Sequence, residues 1–167
     1  MFKKILLQLL VVVVFTVSSV YAFEFSLTPS YSYTLSKDIE KVDYLGARMS
    51  FLIPTEDNKS INYGPYVGIF YNYKLLEQAH GQEQAGISLG LHMKYCANII
   101  QNFYFVISAF GGVHTEDFFK NFNTEISVNA GLGYNNYFLM VGYETRYYPN
   151  EFTVNYLPIT IGVSFQF

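Results

Sequence analysis

The chain has 167 residues, with 16 tyrosines, 16 phenylalanines, no tryptophan and a formal net charge of −3. This length suits one domain and is short for two. The mildly acidic balance argues against a nucleic-acid-binding protein, which would present a basic face. The single cysteine, Cys96, cannot form an internal disulfide, and we expect a structural thiol at a turn.

The first residues have the pattern of a secretory signal. Lys3 and Lys4 precede an apolar run from Ile5 to Val17, and a cleavage pattern follows that ends at Ala22. The apolar run is shorter than the roughly 20 residues that a membrane-spanning helix needs, and no stop-transfer pattern follows it. We therefore expect residues 1–22 to be a cleaved signal peptide and residues 23–167 to form the mature domain.

After the signal, large apolar residues recur at every second position, which predicts strands whose two faces meet different surroundings. Eight such apolar stripes fall within 23–35, 45–53, 65–75, 85–95, 103–109, 126–134, 137–147 and 157–167. Charged or polar segments connect the first stripe to the second, the third to the fourth, the fifth to the sixth and the seventh to the eighth. Asn135-Asn136 predicts a tight hairpin between the sixth and seventh strands.

Two features depart from this regular pattern. Pro29 and Pro65 lie within strand patterns, where a missing N–H removes a ladder hydrogen bond, so we expect strand ends or a bulge there. The connection PTEDNKSIN, residues 54–62, is also longer than a typical hairpin turn, so it leaves the ends of the second and third strands loosely defined.

Eight antiparallel strands with one apolar face each predict a closed up-and-down β-barrel. In a water-soluble, lipocalin-like barrel the apolar stripes would point inward, whereas in a transmembrane barrel they would point at lipid. An eight-stranded barrel has an interior just wide enough for side chains. The many Tyr, Phe, Leu, Ile and Val residues of the stripes could not all fit there, so we predict an all-β transmembrane barrel.

The distribution of charge favours the same fold. No apolar stripe contains Lys, Arg, Asp or Glu, and a Lys or Arg on the lipid face would cost about 2–4 kcal/mol at the bilayer midplane. The charged residues of the strands share the parity of the small polar residues, which predicts that they face the lumen. These residues are Glu24, Arg48, Lys74, Lys94, Glu125, Glu144 and Arg146.

Buried charges must be paired, so we predict an ion-pair network in the lumen. Counting positions along the strands places Arg48 and Glu144 near mid-height, and this pair is our specific hypothesis. The same count places Glu24 and Lys94 near one end of the barrel, and Lys74, Glu125 and Arg146 near the other. Bulky residues of the same parity predict a plugged interior; they are Tyr66, Phe70, Tyr104, Phe110, Phe138 and Met140.

Tyrosines lie towards the ends of the stripes, where outer-membrane barrels carry aromatic girdles. Those expected at one end are Tyr31, Tyr33, Tyr71, Tyr73, Tyr143 and Tyr147, and those expected at the other are Tyr95, Tyr134 and Tyr137. The last stripe, LPITIGVSFQF, ends on Phe167. Phe165, Val163 and Ile161 precede it at every second position, so all four belong to the same face.

In this pattern the chain resembles the small eight-stranded outer-membrane proteins of the OmpA transmembrane domain and OmpX type. The resemblance implies a Gram-negative outer-membrane location with both termini in the periplasm. It also implies contact with lipid and lipopolysaccharide and a monomeric state. A gating role for ion pairs in the lumen is sometimes proposed for this family, so the resemblance extends that expectation to this chain. It further implies that the barrel assembly machinery reads Ile161, Val163, Phe165 and above all Phe167; the alternative is an ordinary closing strand.

No reaction can be assembled from the sequence. Small barrels of the lipid-A deacylase type have a His-x-Ser motif. In this sequence none of His80, His92 and His114 has a serine two residues later. No metal-type His/Cys cluster is present, and we expect no cofactor. We therefore expect a structural or surface-interaction protein rather than an enzyme.

Two alternatives stay open. A lipid-A-modifying enzyme would be favoured if an acyl-chain-sized groove held His92 or His114 against a hydroxyl group. A narrow ion-conducting pore would be favoured by single-channel conductance.

Overall fold

The computed structural model describes residues 23–36, 43–55, 60–72, 85–115, 122–148 and 153–167. The strands are β1 (Glu24–Thr34), β2 (Tyr44–Pro54), β3 (Ile61–Asn72), β4 (Ala85–Ile100), β5 (Phe103–Thr115), β6 (Asn123–Tyr134), β7 (Tyr137–Tyr147) and β8 (Thr153–Gln166).

Each strand pairs with the next one along the chain, and β1 pairs antiparallel with β8, which closes the sheet into a barrel. The predicted eight-stranded antiparallel up-and-down β-barrel is confirmed. Over the residues given above, no helix is long and apolar enough to cross a membrane. The predicted signal peptide, residues 1–22, lies outside the described residues, as do Lys74 and His80.

Several strands run beyond the apolar stripes that predicted them. The segment from His114 to Thr124 reads as a loop in the sequence, yet β5 continues to Thr115 and β6 begins at Asn123. Likewise β8 begins at Thr153 rather than at Leu157. At Thr124, Thr153 and Asn155 the outward residues are small and polar, so on β6 and β8 the apolar alternation covers less of the strand than the backbone ladder does.

The expectation that Pro29 and Pro65 mark strand ends or a bulge is wrong. Pro29 lies inside β1 and is paired with Ala47 of β2, and Pro65 lies inside β3 and is paired with Leu91 of β4. On its other side each proline faces a break in the ladder. The pairing of β1 with β8 omits Thr28 and Pro29, and the pairing of β2 with β3 omits Gly64 and Pro65.

The register is the same before and after each of these breaks, so no extra residue is inserted. Pro158 shows the same arrangement on β8, where the ladder with β7 is interrupted while the pair with Ser32 of β1 is kept. A closed barrel therefore accommodates each proline by losing ladder bonds on one side only.

Buried and exposed side chains alternate along the strands. In contrast to a soluble protein, the exposed ones are mostly apolar and many of the buried ones are polar or charged. Outward side chains are large, apolar and exposed, for example Ile69 at 65% and Leu91 at 69%. Inward side chains include fully buried polar and charged groups such as Ser50 and Glu125. The lipocalin-like alternative, with apolar stripes pointing inward, is therefore wrong for this chain.

Replacing Gly64 with alanine should destabilise the barrel by about 1–3 kcal/mol, the usual cost of overpacking. Gly64 is buried in β3, and a Cβ atom added there would overlap the backbone carbonyl of Phe51. The matched control is Gly111→Ala on β5, because an added Cβ at Gly111 meets nothing within 4 Å. Urea unfolding in lipid vesicles compares the two variants, and equal stability would show that β2 and β3 do not approach this closely.

Candidate functional site: the polar lumen

Four buried charged residues that the structure describes lie together in the half of the lumen farther from the termini, and we call them the outer cluster: Arg48, Glu125, Glu144 and Arg146. Arg48 Nη2 donates to Glu144 Oε2 at 2.8 Å and to Glu125 Oε1 at 3.3 Å. Arg146 Nε donates to Glu144 Oε1 at 2.8 Å. Two positive and two negative groups thus neutralise one another in a space closed to solvent.

Barrel geometry explains how these residues meet. Antiparallel pairing of β6 with β7 sets Glu125 directly opposite Arg146. Arg48 comes from β2, which lies four strands from β6 in either direction around the closed barrel. Its side chain therefore crosses the lumen and ties opposite walls together.

Aromatic rings pack around the outer cluster and complete its contacts. Tyr66 donates its hydroxyl hydrogen to Glu125 Oε1 at 2.6 Å. The guanidinium carbon of Arg48 lies 5.0 Å from the ring centre of Phe110, and that of Arg146 lies 4.2 Å from the ring centre of Phe70. These are cation–π distances, and the rings fill the space that an aqueous channel would need.

A second ion pair lies near the end of the barrel that carries the termini. Lys94 Nζ is 2.6 Å from Glu24 Oε1 and 2.7 Å from Ser164 Oγ. Asn62 donates an amide hydrogen to the second oxygen of Glu24. Lys94 also sits over the ring of Phe138, with its nitrogen 4.6 Å from the ring centre.

The structure therefore brings together six of the seven residues of the predicted network, in two groups. Arg48 and Glu144 form a direct pair, and so do Glu24 and Lys94. Counting positions had placed Glu125 and Arg146 in a separate group near one end of the barrel. In the structure they instead contact Arg48 and Glu144. The count went wrong because strands of a barrel are tilted and staggered, so equal positions on different strands lie at different heights.

Between the two charged groups lies a contact that the sequence analysis missed. His92 Nδ1 is 2.9 Å from Ser50 Oγ, and His92 Nε2 is 3.1 Å from Ser108 Oγ. The imidazole also stacks on Phe110 with ring centres 4.0 Å apart. The serines come from β2 and β5, so no motif on one strand could have revealed them.

Histidine beside serine is a pairing that nucleophilic catalysis uses, but these three side chains point into a filled lumen. His92 is only 1% exposed, and both serines are fully buried. His114 also faces inward, edge-on to Phe70 and Tyr148. In the part of the chain that the structure covers, no group of three His, Cys, Asp or Glu residues is arranged to hold a metal ion.

An apolar groove of about 400 Å³ lies on the outside of the barrel across β2, β3 and β4. Its walls include Ala47, Ile69 and Ile87, with Thr115 at one side. No histidine is among its described lining residues, so the arrangement that would favour a lipid-A-modifying enzyme is not found in this groove.

Three of the predicted assembly residues, Ile161, Val163 and Phe165, share the outward face of β8, and Phe167 follows directly after the strand. Ile161, Phe165 and Phe167 are exposed and Val163 is half-buried. Phe167 stacks on Phe23 with ring centres 5.0 Å apart, and the two residues exchange backbone hydrogen bonds at 3.0 and 3.3 Å. Phe167 thus continues the pairing of β1 with β8 past Gln166.

No protein-family model matches the sequence, and no curated protein matches it. Solved structures do share its fold. Neisserial surface protein A has a TM-score of 0.63 at 16% identity, with 87% of this chain and 99% of that chain covered. The outer membrane enzyme PagL has a TM-score of 0.60 at 13% identity, covering 83% and 98%.

The N-terminal β-barrel domain of Pseudomonas aeruginosa OprF has a TM-score of 0.50 at 12% identity, covering 85% of this chain and 97% of that chain. At these identities the likeness is one of architecture. The chain has the fold of the small eight-stranded outer-membrane barrels.

Proposed function

We propose that this chain is an integral β-barrel protein of a Gram-negative outer membrane, with a plugged polar lumen and a structural or surface-interaction role. The observation that carries the proposal is the inverted burial of a closed sheet. Exposed apolar side chains cover the outside, and ions are buried within. Hydrocarbon favours this arrangement, since it accepts apolar side chains and requires every backbone group to be paired inside the protein.

Tyrosines near both rims support a membrane position. Tyr33 and Tyr147 are exposed towards one end of the barrel, and Tyr134 and Tyr137 are exposed towards the other. A tyrosine at such a level keeps its ring in hydrocarbon and its hydroxyl among headgroups. We place both termini in the periplasm, with the connections after β1, β3, β5 and β7 at the cell surface.

The filled lumen argues against the narrow-pore alternative, because the outer cluster and its aromatic rings occupy the cross-section. The similarity to the outer membrane enzyme PagL, at 13% identity, is one of fold alone. His92, which lies between two serines, is buried inside the barrel. We therefore propose a protein without catalytic activity that presents its surface connections to lipopolysaccharide, ions or a partner.

Membrane fractionation with heat-dependent gel migration tests this proposal. We expect the chain in the outer-membrane fraction, running faster in unheated detergent samples than in boiled ones because a closed barrel resists the detergent. A soluble periplasmic protein without any heat-dependent shift would overturn the proposal.

We predict that Phe167→Ala lowers the amount of barrel assembled in cells by several-fold, because the assembly machinery reads the terminal aromatic residue. The variant also loses the stack on Phe23. Phe23→Ala removes the same stack while keeping the last residue, so it is the matched control. Quantitative immunoblots of heat-shifted barrel in outer membranes measure assembly.

Purified variants refolded into lipid vesicles without the machinery complete this test. We expect Phe167→Ala and Phe23→Ala to fold there to the same extent. Equal assembly of the two variants in cells would mean that Phe167 only continues the pairing of β1 with β8.

A further inference from the structure

The lumen opens into a cavity of about 580 Å³ at the end that carries the termini, and we call this cavity the mouth vestibule. Its lining is unusual in being rich in carboxamides rather than in charges. Six of the carboxamide side chains that line it belong to Asn98, Gln101, Asn102, Asn135, Asn136 and Gln166. The volume lies within the range of small-molecule sites, roughly 300–1,000 Å³.

The mouth vestibule presents no free charge among its described lining residues. Its charged members are Glu24 and Lys94, and these two neutralise each other at 2.6 Å. At its floor, Asn62 uses its amide nitrogen on Glu24, while its Oδ1 atom is buried without a hydrogen-bond partner. An ionic ligand would therefore find no unpaired opposite charge among these residues.

Carboxamides both donate and accept hydrogen bonds, so this lining matches a ligand rich in hydroxyl and amide groups. Tyr104 adds an aromatic ring to the wall, and its hydroxyl donates to the backbone oxygen of Tyr137 at 3.3 Å, which holds the ring in place. Polar groups beside an aromatic surface are the usual means of binding sugars, whose rings have both polar edges and apolar faces.

A peptide ligand fits less well. Extended peptides commonly bind by adding a strand to an open sheet edge, and the closed barrel offers no such edge in its described strands. A charged peptide terminus would also lack a partner, since Glu24 and Lys94 are already paired.

We infer that the mouth vestibule binds a neutral oligosaccharide that carries acetamido and hydroxyl groups. This inference rests on the proposed function, which turns the vestibule towards the periplasm. A segment of cell-wall glycan and a free saccharide both present these acetamido and hydroxyl groups.

Cys96 provides a reporter, because it is the chain's single cysteine and it lines the vestibule. The experiment uses protein purified from outer membranes in detergent and follows the reaction of the thiol with a pyridyl disulfide. Tri-N-acetylchitotriose should slow the reaction in a saturable way, by about tenfold at a concentration about ten times its Kd. Maltotriose, which lacks acetamido groups, should slow it much less.

Two double variants test the carboxamides directly. Asn98→Ala with Gln166→Ala should abolish protection by tri-N-acetylchitotriose. Asn98→Gln with Gln166→Asn should retain it, since both amides are kept. Absence of protection in wild-type protein, equal protection by maltotriose, or full protection in the alanine variant would overturn the inference.

Sedimentation with isolated cell-wall sacculi separates the two sources of the ligand. Co-sedimentation that tri-N-acetylchitotriose competes away would identify cell-wall glycan, and saccharide binding without co-sedimentation would identify a free saccharide. Either result supports the stated chemistry. The protein must first show its heat-dependent gel shift, so a folded barrel without saccharide protection overturns only this inference and leaves the proposed function intact.

Discussion

Replacing Arg48 with methionine should lower the free energy of unfolding by about 3–5 kcal/mol, which is the cost of breaking a buried ion pair by removing one partner. Methionine keeps much of the volume but leaves Glu125 and Glu144 buried with only Arg146 as a nearby arginine. Urea unfolding of the barrel in lipid vesicles, followed by the heat-dependent gel shift, measures the change.

A double-mutant cycle separates the ion pair from simple loss of packing. Glu144→Gln removes the carboxylate that Arg48 bonds at 2.8 Å. The double variant keeps Glu125 and Arg146 as one neutral pair, so it should be more stable than the sum of the two single changes predicts. We expect a coupling of about 1–3 kcal/mol, within the range for directly bonded groups.

The control cycle pairs Arg48 with Glu24, whose carboxylate belongs to the other ion pair. Residues without shared partners usually act additively to within about 0.5 kcal/mol. If the Arg48–Glu144 cycle were as additive as the Arg48–Glu24 cycle, the two buried groups would not stabilise each other.

The second large effect is expected on the outside of the barrel. Val128→Arg should cost about 2–4 kcal/mol in a bilayer, because it puts a charge near the midplane on the lipid-facing side. Val128 lies in the middle of β6 and is exposed. Thr124→Arg is the matched control on the same strand and face, near the rim, where the cost falls to about 0–1 kcal/mol.

Urea unfolding in lipid vesicles measures the free energy of unfolding of both arginine variants. Equal costs at Val128 and Thr124 would mean that the face of β6 does not pass from hydrocarbon to headgroups along its length.

The alternation of side chains predicted the strand number, the closed barrel and the inward direction of the charged residues that the structure describes on the strands. This was possible because lipid and lumen impose opposite chemistry on successive residues. The inward direction of Arg48 and Glu144 could therefore be read directly, and their mutual contact was a reasonable hypothesis once both were placed inside.

Contacts between distant strands could not be read in the same way. Ser50, His92 and Ser108 belong to three strands, and their meeting depends on the tilt and stagger of the barrel. The same stagger moved Glu125 into contact with Arg48. The mouth vestibule was also missed, because its carboxamides lie on separate turns and strand ends with no common spacing.

The prolines show a different limit of sequence-based prediction. The missing N–H of Pro29 and Pro65 was evident, but it could not reveal which neighbouring strand would lose its pairing. The structure assigns the loss to β8 for Pro29 and to β2 for Pro65, while the opposite ladder continues. Continuous pairing on that second side keeps each strand in register.

Depth-dependent fluorescence quenching tests most directly whether hydrocarbon surrounds the barrel. Because the chain has no tryptophan, a single one can be introduced as Val141→Trp on the outward face or as Asn98→Trp in the mouth vestibule. In vesicles of lipids brominated on their acyl chains, we expect strong quenching at position 141 and little at position 98. An unquenched tryptophan at position 141 in a folded barrel would contradict the membrane-embedded structure described above.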